Sequence, residues 1–215
     1  MTRRIVVLTA GLSQPSSTRL LADRLADAVT TQVSARGEAA SVEVIELREL
    51  AHDLATTMTT GGLPTPAVEA ARETVAAADA VIAVTPVFAA SYSGLFKMFI
   101  DVLDPESITG MPVLIAATAG TARHQLVLDH ALRPLFSYLR AAVVPTGVFA
   151  ATDDFGGPGS PDLGHRISRA AGELATAVVS AGVEGFGQEA RRRSVRSVTD
   201  GEVTDFEDLL AGLGQ

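Results

Sequence analysis

Short runs of unbroken apolar residues alternate along this chain with stretches whose apolar residues recur every three or four positions, and few folds accommodate that alternation. Arg4 to Ala10 (RIVVLTA), Ala80 to Thr85 (AVIAVT) and Pro112 to Thr118 (PVLIAAT) are apolar on both faces, so they read as strands covered from both sides. Val42 to Leu47 (VEVIEL) alternates and reads as another strand, second in chain order. Leu21, Leu25, Ala28 and Val29 share one face of a helix expected over Thr18 to Val33, and Pro66 to Ala78 reads as a weakly amphipathic helix. Tyr92, Leu95, Phe96, Phe99, Val102 and Leu103 recur at helical spacing, as do Leu128, Leu132, Leu135, Phe136 and Leu139. Val143 to Ala151 is expected to be the fifth strand, at a sheet edge because Pro145 and Gly147 would damage a central one, and Ser160 to Ala181 the closing helix. The sum is an α/β fold, a doubly wound five-stranded parallel sheet with helices on both faces.

Pro134 falls inside a helical stripe, where it lacks an N–H to give the carbonyl of His130 and its ring crowds that turn; a kink or π-bulge is expected near His130. With 215 residues, 47% of them hydrophobic, the chain is long enough for one sizeable core and short for two. One domain is expected over residues 1–187. From Gln188 the composition changes: Arg191, Arg192, Arg193 and Arg196 precede polar and acidic residues, and residues 188–215 read as a tail with a short amphipathic stripe of Phe206, Leu209, Leu210 and Leu213.

Composition removes several function classes. Seventeen Lys and Arg against 25 Asp and Glu leave a formal charge of -8, so nucleic acid and anionic membrane surfaces are poor candidate partners. The chain has no cysteine, which excludes disulfides, thiolate nucleophiles and thiolate metal centres. The basic start MTRRIVVLTAGL breaks at Gly11 without a cleavage pattern, and no run approaches the roughly 20 apolar residues of a membrane span. A cytoplasmic protein is expected. GxGxxG after a strand, GxxxxGK[ST], HExxH, GxSxG and EF-hand patterns are all missing, and His52, His124, His130 and His165 show no ligand spacing. A receiver-type phosphorylation domain needs acids at strand ends, yet the first and third strands end in Thr9-Ala10 and Thr85-Pro86.

Three loops remain, after the first, third and fourth strands, where an open parallel sheet binds ligands. Gly11 to Arg19 (GLSQPSSTR) offers hydroxyls and the N–H groups of a helix N-terminus without an acid, the form of an anion site; equally, Ser16, Ser17 and Thr18 are simply competing N-caps. Thr85 to Gly94 (TPVFAASYSG) combines apolar groups, an aromatic and backbone donors around a sharp turn and suits a flat, hydrogen-bonding ring; its plainer alternative is a loop capped by Ser91 with Tyr92 as packing. Thr118 to His124 (TAGTARH) opens the next helix with a glycine that permits close backbone approach, or is an ordinary capped turn. Lys97, the sole lysine, reads as a solvated first-turn residue, and His124 as a loop residue with no carboxylate to orient it.

Together these loops resemble the NADPH-dependent FMN reductase family of the flavodoxin-like fold, over about residues 3 to 183. The likeness rests on GLSQPSSTRLLADRL (Gly11 to Leu25), TPVFAASYSGLFKMFIDVLD (Thr85 to Asp104) and AGTARHQLVLDHALRPLFSYLRA (Ala119 to Ala141). It is greatest to the branch supplying reduced flavin to luciferase-like two-component monooxygenases. The resemblance implies strand order 2-1-3-4-5, FMN and NADPH (or NADH) as cofactors, and hydride transfer from the nicotinamide to the flavin with no catalytic acid, base or nucleophile. It also implies that Ser13, Ser16, Ser17 and Thr18 hold the phosphate, that Pro86, Val87, Phe88, Tyr92 and Ser93 line the isoalloxazine edge, and that Gly120 and Thr121 complete the ring pocket. Many relatives have an arginine between the loop serines where this chain has Gln14-Pro15. A homodimer or tetramer is expected, with an interface at the helix beginning near Tyr92, and a flavin-dependent monooxygenase as consumer of the product. The alternatives are a quinone or azo-compound reductase of the same fold, or a non-enzymatic flavodoxin-type electron carrier.

Overall fold

The computed structural model describes residues 1–156 and 160–183. The tail from 188 to 215, including the stripe from Phe206 to Leu213, lies outside the described residues. Among the described residues, β1 (Thr2–Thr9), β2 (Ala39–Glu46), β3 (Ala80–Phe88), β4 (Ser91–Tyr92), β5 (Pro112–Ala119), β6 (Ala142–Val143) and β7 (Val148–Ala151) form one sheet. Its order is β2-β1-β3-β5-β6, with β7 also paired to β5 and β4 folded back on β3. All pairings are parallel except β3 with β4. The helices are α1 (Ser17–Ser34), α2 (Ala51–Thr59), α3 (Pro66–Ala76), α4 (Gly94–Asp101), α5 (Arg133–Tyr138) and α6 (Ser160–Val183). Apart from the small β4 and the division of the last strand, this is the doubly wound order 2-1-3-4-5 that the sequence resemblance implied.

The all-apolar strands supply two cores because side chains alternate across a sheet. On one face Ile5, Val7, Ile82, Val84 and Leu114 pack against Leu21, Leu25 and Val29 of α1 and Leu163, Leu174 and Val178 of α6. On the other, Val6, Leu8, Val81, Val113 and Ile115 meet Leu54 of α2, Val68 and Val75 of α3, Phe96 and Phe99 of α4 and Phe136 of α5. Each such side chain, fully buried, contributes about 1.5–3 kcal/mol before chain entropy is set against it.

The expected fifth strand is in fact two. β6 and β7 each pair with β5, and residues 144–147 bulge away between them because Pro145 has no N–H for the ladder. Side chains satisfy the backbone freed by the break: Glu173 accepts from the Thr146 N–H at 2.7 Å, and Arg133 donates to the carbonyls of Val144 and Pro145 at 3.2 and 2.9 Å. The stripe from Leu128 to Leu139 is also divided. Leu128–Leu132 forms a π-turn that contains His130 and runs directly into α5 at Arg133, so the widened turn falls where the N–H that Pro134 lacks would have been needed. The helix α2 was not anticipated. Its signal, Leu47, Leu50 and Leu54 at helical spacing, straddles a 3-10 turn (Leu47–Leu50), and only from Ala51 is the segment α-helical.

Candidate functional site

The loop after β1 is shaped by its two ends. The Ala10 N–H donates to the Val84 carbonyl at 3.0 Å, and Ser16, in extended conformation, caps α1 by accepting from the Arg19 N–H at 3.2 Å. Gly11 between them is buried, and a Cβ placed there would lie 2.1 Å from Ser16 Oγ, so only glycine lets the loop fold back so tightly. The next loop is a hairpin. Val87 pairs with Tyr92 and Phe88 with Ser91 around Ala89 and Ala90, whose φ angles of 47° and 66° are those of a tight turn normally built from Asn and Gly. Below it, the Ser93 N–H donates to Thr85 Oγ1 at 3.0 Å and Ser93 Oγ accepts from Phe96 N at 3.1 Å, capping α4. The third loop leaves β5 at Gly120 and enters a 3-10 turn over Ala122–His124.

These loops enclose a crevice of about 350 Å³ at the C-terminal ends of β1, β3 and β5. Leu12, Ser13, Ser16, Ser17 and Thr18 form one wall, Pro86, Val87 and Phe88 the second, and Thr118, Ala119 and Gly120 the third, with Thr152 at one end. None of these side chains is charged, so among the described residues the crevice walls offer no carboxylate or imidazole for acid, base or nucleophilic chemistry. It offers instead hydroxyls, the N-terminus of α1 and apolar walls, a setting for an anion joined to a flat ring. A larger hollow of about 620 Å³ lies between β1, β2 and α3, but Glu43 and Glu73 line it and it faces away from the strand ends where open parallel sheets bind ligands.

The chain matches the model of the family described as NADPH-dependent FMN reductase over residues 3–156. It belongs to that family. It is 36% identical over 154 residues to an FMN reductase (NADPH) of Pseudomonas aeruginosa, covering 71% of this chain and 78% of the relative. It is 39% identical over 147 residues to the NADH-dependent FMN reductase SfnE of Pseudomonas putida, covering 68% and 76%. An oxidoreductase of Corynebacterium diphtheriae, known from an X-ray structure, superposes with a TM-score of 0.80 at 60% identity over 83% of this chain and 98% of that one. The apo form of the NADH:FMN oxidoreductase EMOB superposes at 0.70 with 25% identity, over 81% and 89%.

Of the residues expected in this FMN reductase family site, Ser13, Ser16, Ser17, Thr18, Pro86, Val87, Phe88 and Gly120 share the crevice. Their side chains are not equivalent. Ser16 is the helix cap, and the buried Thr18 hydroxyl is bonded to Thr118 Oγ1 at 2.8 Å, a contact between the first turn of α1 and the end of β5, 100 residues apart. Ser13 and Ser17 are exposed. Tyr92, Ser93 and Thr121 are not on the crevice wall: the Tyr92 ring lies 6.1 Å from that of Phe96, Ser93 is buried as the α4 cap, and Thr121 is exposed beyond Gly120. The cap of α4 is thus Ser93, two residues after Ser91. Leu12, Thr118 and Ala119 were readable as parts of the loops but were not singled out, and Thr152 arrives from the far end of the sheet with no local signal. Lys97 pairs with Asp101 at 2.6 Å, which raises its pKa, and His124 is exposed on the 3-10 turn.

Gly11→Ala tests the folding of the loop. The new methyl expels Ser16 Oγ from its capping position, so stability falls by about 1 kcal/mol, and FMN affinity falls severalfold as the loop opens. Thermal melts and flavin titration measure both; an unchanged FMN affinity would mean the loop tolerates the methyl without reshaping.

Proposed function

We propose that this chain is an NAD(P)H-dependent FMN reductase of the cytoplasm whose three-loop crevice holds the flavin. The observation that carries the reading is the convergence of an α1 N-terminus, a glycine-shaped hydroxyl loop and two apolar walls on one uncharged crevice. The fit to FMN extends to details: a Cβ at Gly120 would meet no protein atom within 4 Å, so the glycine leaves volume on the wall, and no carboxylate opposes a phosphate at the Ser13 to Thr18 wall. Ser13, Ser17 and the N–H groups of the first turn of α1 hold the phosphate, with Ser16 and Thr18 fixing the loop. Pro86, Val87 and Phe88 bound the ring on one side, and Ala119 and Gly120 on the other. Bound FMN supplies the ring that accepts hydride from NAD(P)H. The protein orients the two reactants, and Leu12 and Phe88, about half exposed at the rim, supply apolar surface at the entrance.

Anaerobic mixing with NADPH or NADH tests this directly. Rapid loss of flavin absorbance with multiple turnovers on added FMN is expected; slow or single-turnover reduction would point to an electron carrier, and faster turnover with quinones or azo compounds to a reductase of those acceptors.

The reduced flavin is proposed to pass to a flavin-dependent monooxygenase, and the active form to be a homodimer or a dimer of dimers. At the helix beginning near Tyr92, Phe96 and Phe99 are fully buried in the chain's own core, so a second subunit there would meet the partly buried Leu95 and Met98 of α4 and Val102 just after it. A solution mass of a dimer or tetramer at micromolar concentration is expected, and a monomer alone would reject the interface.

A further inference from the structure

The middle of the phosphate loop, Leu12 to Pro15, is exposed, and its ends are fixed by Ala10 and Ser16. What reaches the tip is a side chain from another element. Arg48, in the 3-10 turn after β2, turns Nη1 and Nη2 toward the Gln14 carboxamide; with that amide oriented so that its oxygen faces the guanidinium, as two donors require, it accepts from Nη1 at 2.7 Å and also contacts Nη2. The guanidinium is itself held by an ion pair from Nε to Glu46 Oε2 at 2.7 Å. The other Glu46 oxygen takes Arg19 Nη1, and Arg19 Nε donates to Asp23 at 2.7 Å. Five side chains thus form one chain of contacts, Asp23, Arg19, Glu46, Arg48 and Gln14, running from the first turns of α1 across the end of β2 to the loop tip. Glu46 can bridge the two arginines because it lies beside Thr9 in the β1–β2 register, directly under the start of the loop.

We propose that Arg48, acting through Gln14, is a positioning residue that holds the loop in the shape that selects a phosphorylated flavin. This rests on the reading of the loop as the phosphate site. An anion cradle made largely of backbone N–H groups discriminates only while those groups converge, and a loop already held in place loses less entropy when its ligand arrives. The Arg48 and Glu46 side chains are 21% and 20% exposed, so the pair is screened less than a fully exposed ion pair.

The test is titration of the flavin-free full chain with FMN and with riboflavin, for wild type, Arg48→Met, Arg48→Lys, Gln14→Ala and the Arg48→Met/Gln14→Ala double variant. Arg48→Met is expected to weaken FMN about tenfold and to leave riboflavin within twofold. Gln14→Ala, a change on the exposed surface that does not threaten folding, should reproduce that loss, the double variant should be no worse than either single one, and Arg48→Lys should recover part of it. FMN affinity unchanged in both single variants, additive losses in the double, or equal losses for FMN and riboflavin would each overturn the role of Arg48. Wild type binding both flavins equally would overturn the phosphate-site reading itself, and the proposal with it.

Discussion

Ser17→Glu is expected to lower FMN affinity by tenfold to a hundredfold and to leave riboflavin affinity within about twofold. Ser17 is the first residue of α1, exposed, and on the crevice wall, so the new carboxylate stands where the flavin phosphate is proposed to lie. Two unit charges 4 Å apart interact by about 4 kcal/mol at an effective dielectric of 20, and solvent at the open crevice reduces this to about 1.5–3 kcal/mol. That range corresponds to the stated loss at about 1.4 kcal/mol per decade. The substitution discriminates well because it does not harm the fold: an acid in the first turn of a helix is favoured by the helix dipole, by about 0.3–1 kcal/mol. Thr18→Glu would not serve, since Thr18 is buried and bonded to Thr118. Parallel titrations with the two flavins measure the effect, and equal losses for both would show that the loop supports the fold without reading the phosphate.

Phe136→Ala should cost about 3–5 kcal/mol of stability, the range for removing a large aromatic from a well-packed core. Its ring is 1% exposed and stands edge-on to Phe96 at 6.3 Å and 66°; Phe96 in turn lies against Tyr92 of the hairpin. Phe136 therefore ties the helix beyond the π-turn to α4 and to the base of the second loop. Denaturant unfolding of the variant should show the full loss, and FMN binding should weaken only in proportion to the fraction unfolded. A cost below about 1 kcal/mol would mean that the cavity collapses and that α5 is not rigidly seated.

How much of this was legible in advance depends on whether a feature is local. β1, β3 and β5 are buried on both faces, and such strands announce themselves as apolar runs; the three loops then follow from chain order, because ligands gather at the C-terminal ends of parallel strands. The π-turn was legible in kind, since Pro134 cannot sit in the middle of a continuous α-helix. What the residues could not reveal is how their hydroxyls are divided. Ser16, Ser17 and Thr18 are chemically near-equivalent, and only the extended backbone of Ser16 makes it the cap, while a partner 100 residues away turns Thr18 inward. The roles of Arg48 and Thr152 likewise depend on tertiary proximity. The helix α2 was missed for the opposite reason: its leucines begin in one helical geometry and finish in another, so no single period describes them.

The divided last strand has a consequence for assembly. A sheet edge invites a strand from another molecule, and one with two equal edges could lengthen indefinitely. Here the edges are unequal. β6 and β7 leave two and four residues of ladder separated by Pro145 and its bulge, too little for a continuous pairing, whereas β2 is an unbroken eight-residue edge with Ser41, Val42 and Glu43 exposed. Two copies that met through β2 would do so about a twofold axis and would then present only broken edges outward, closing the contact upon itself. Through the edges of the described residues, strand-to-strand pairing of this kind would stop at a pair.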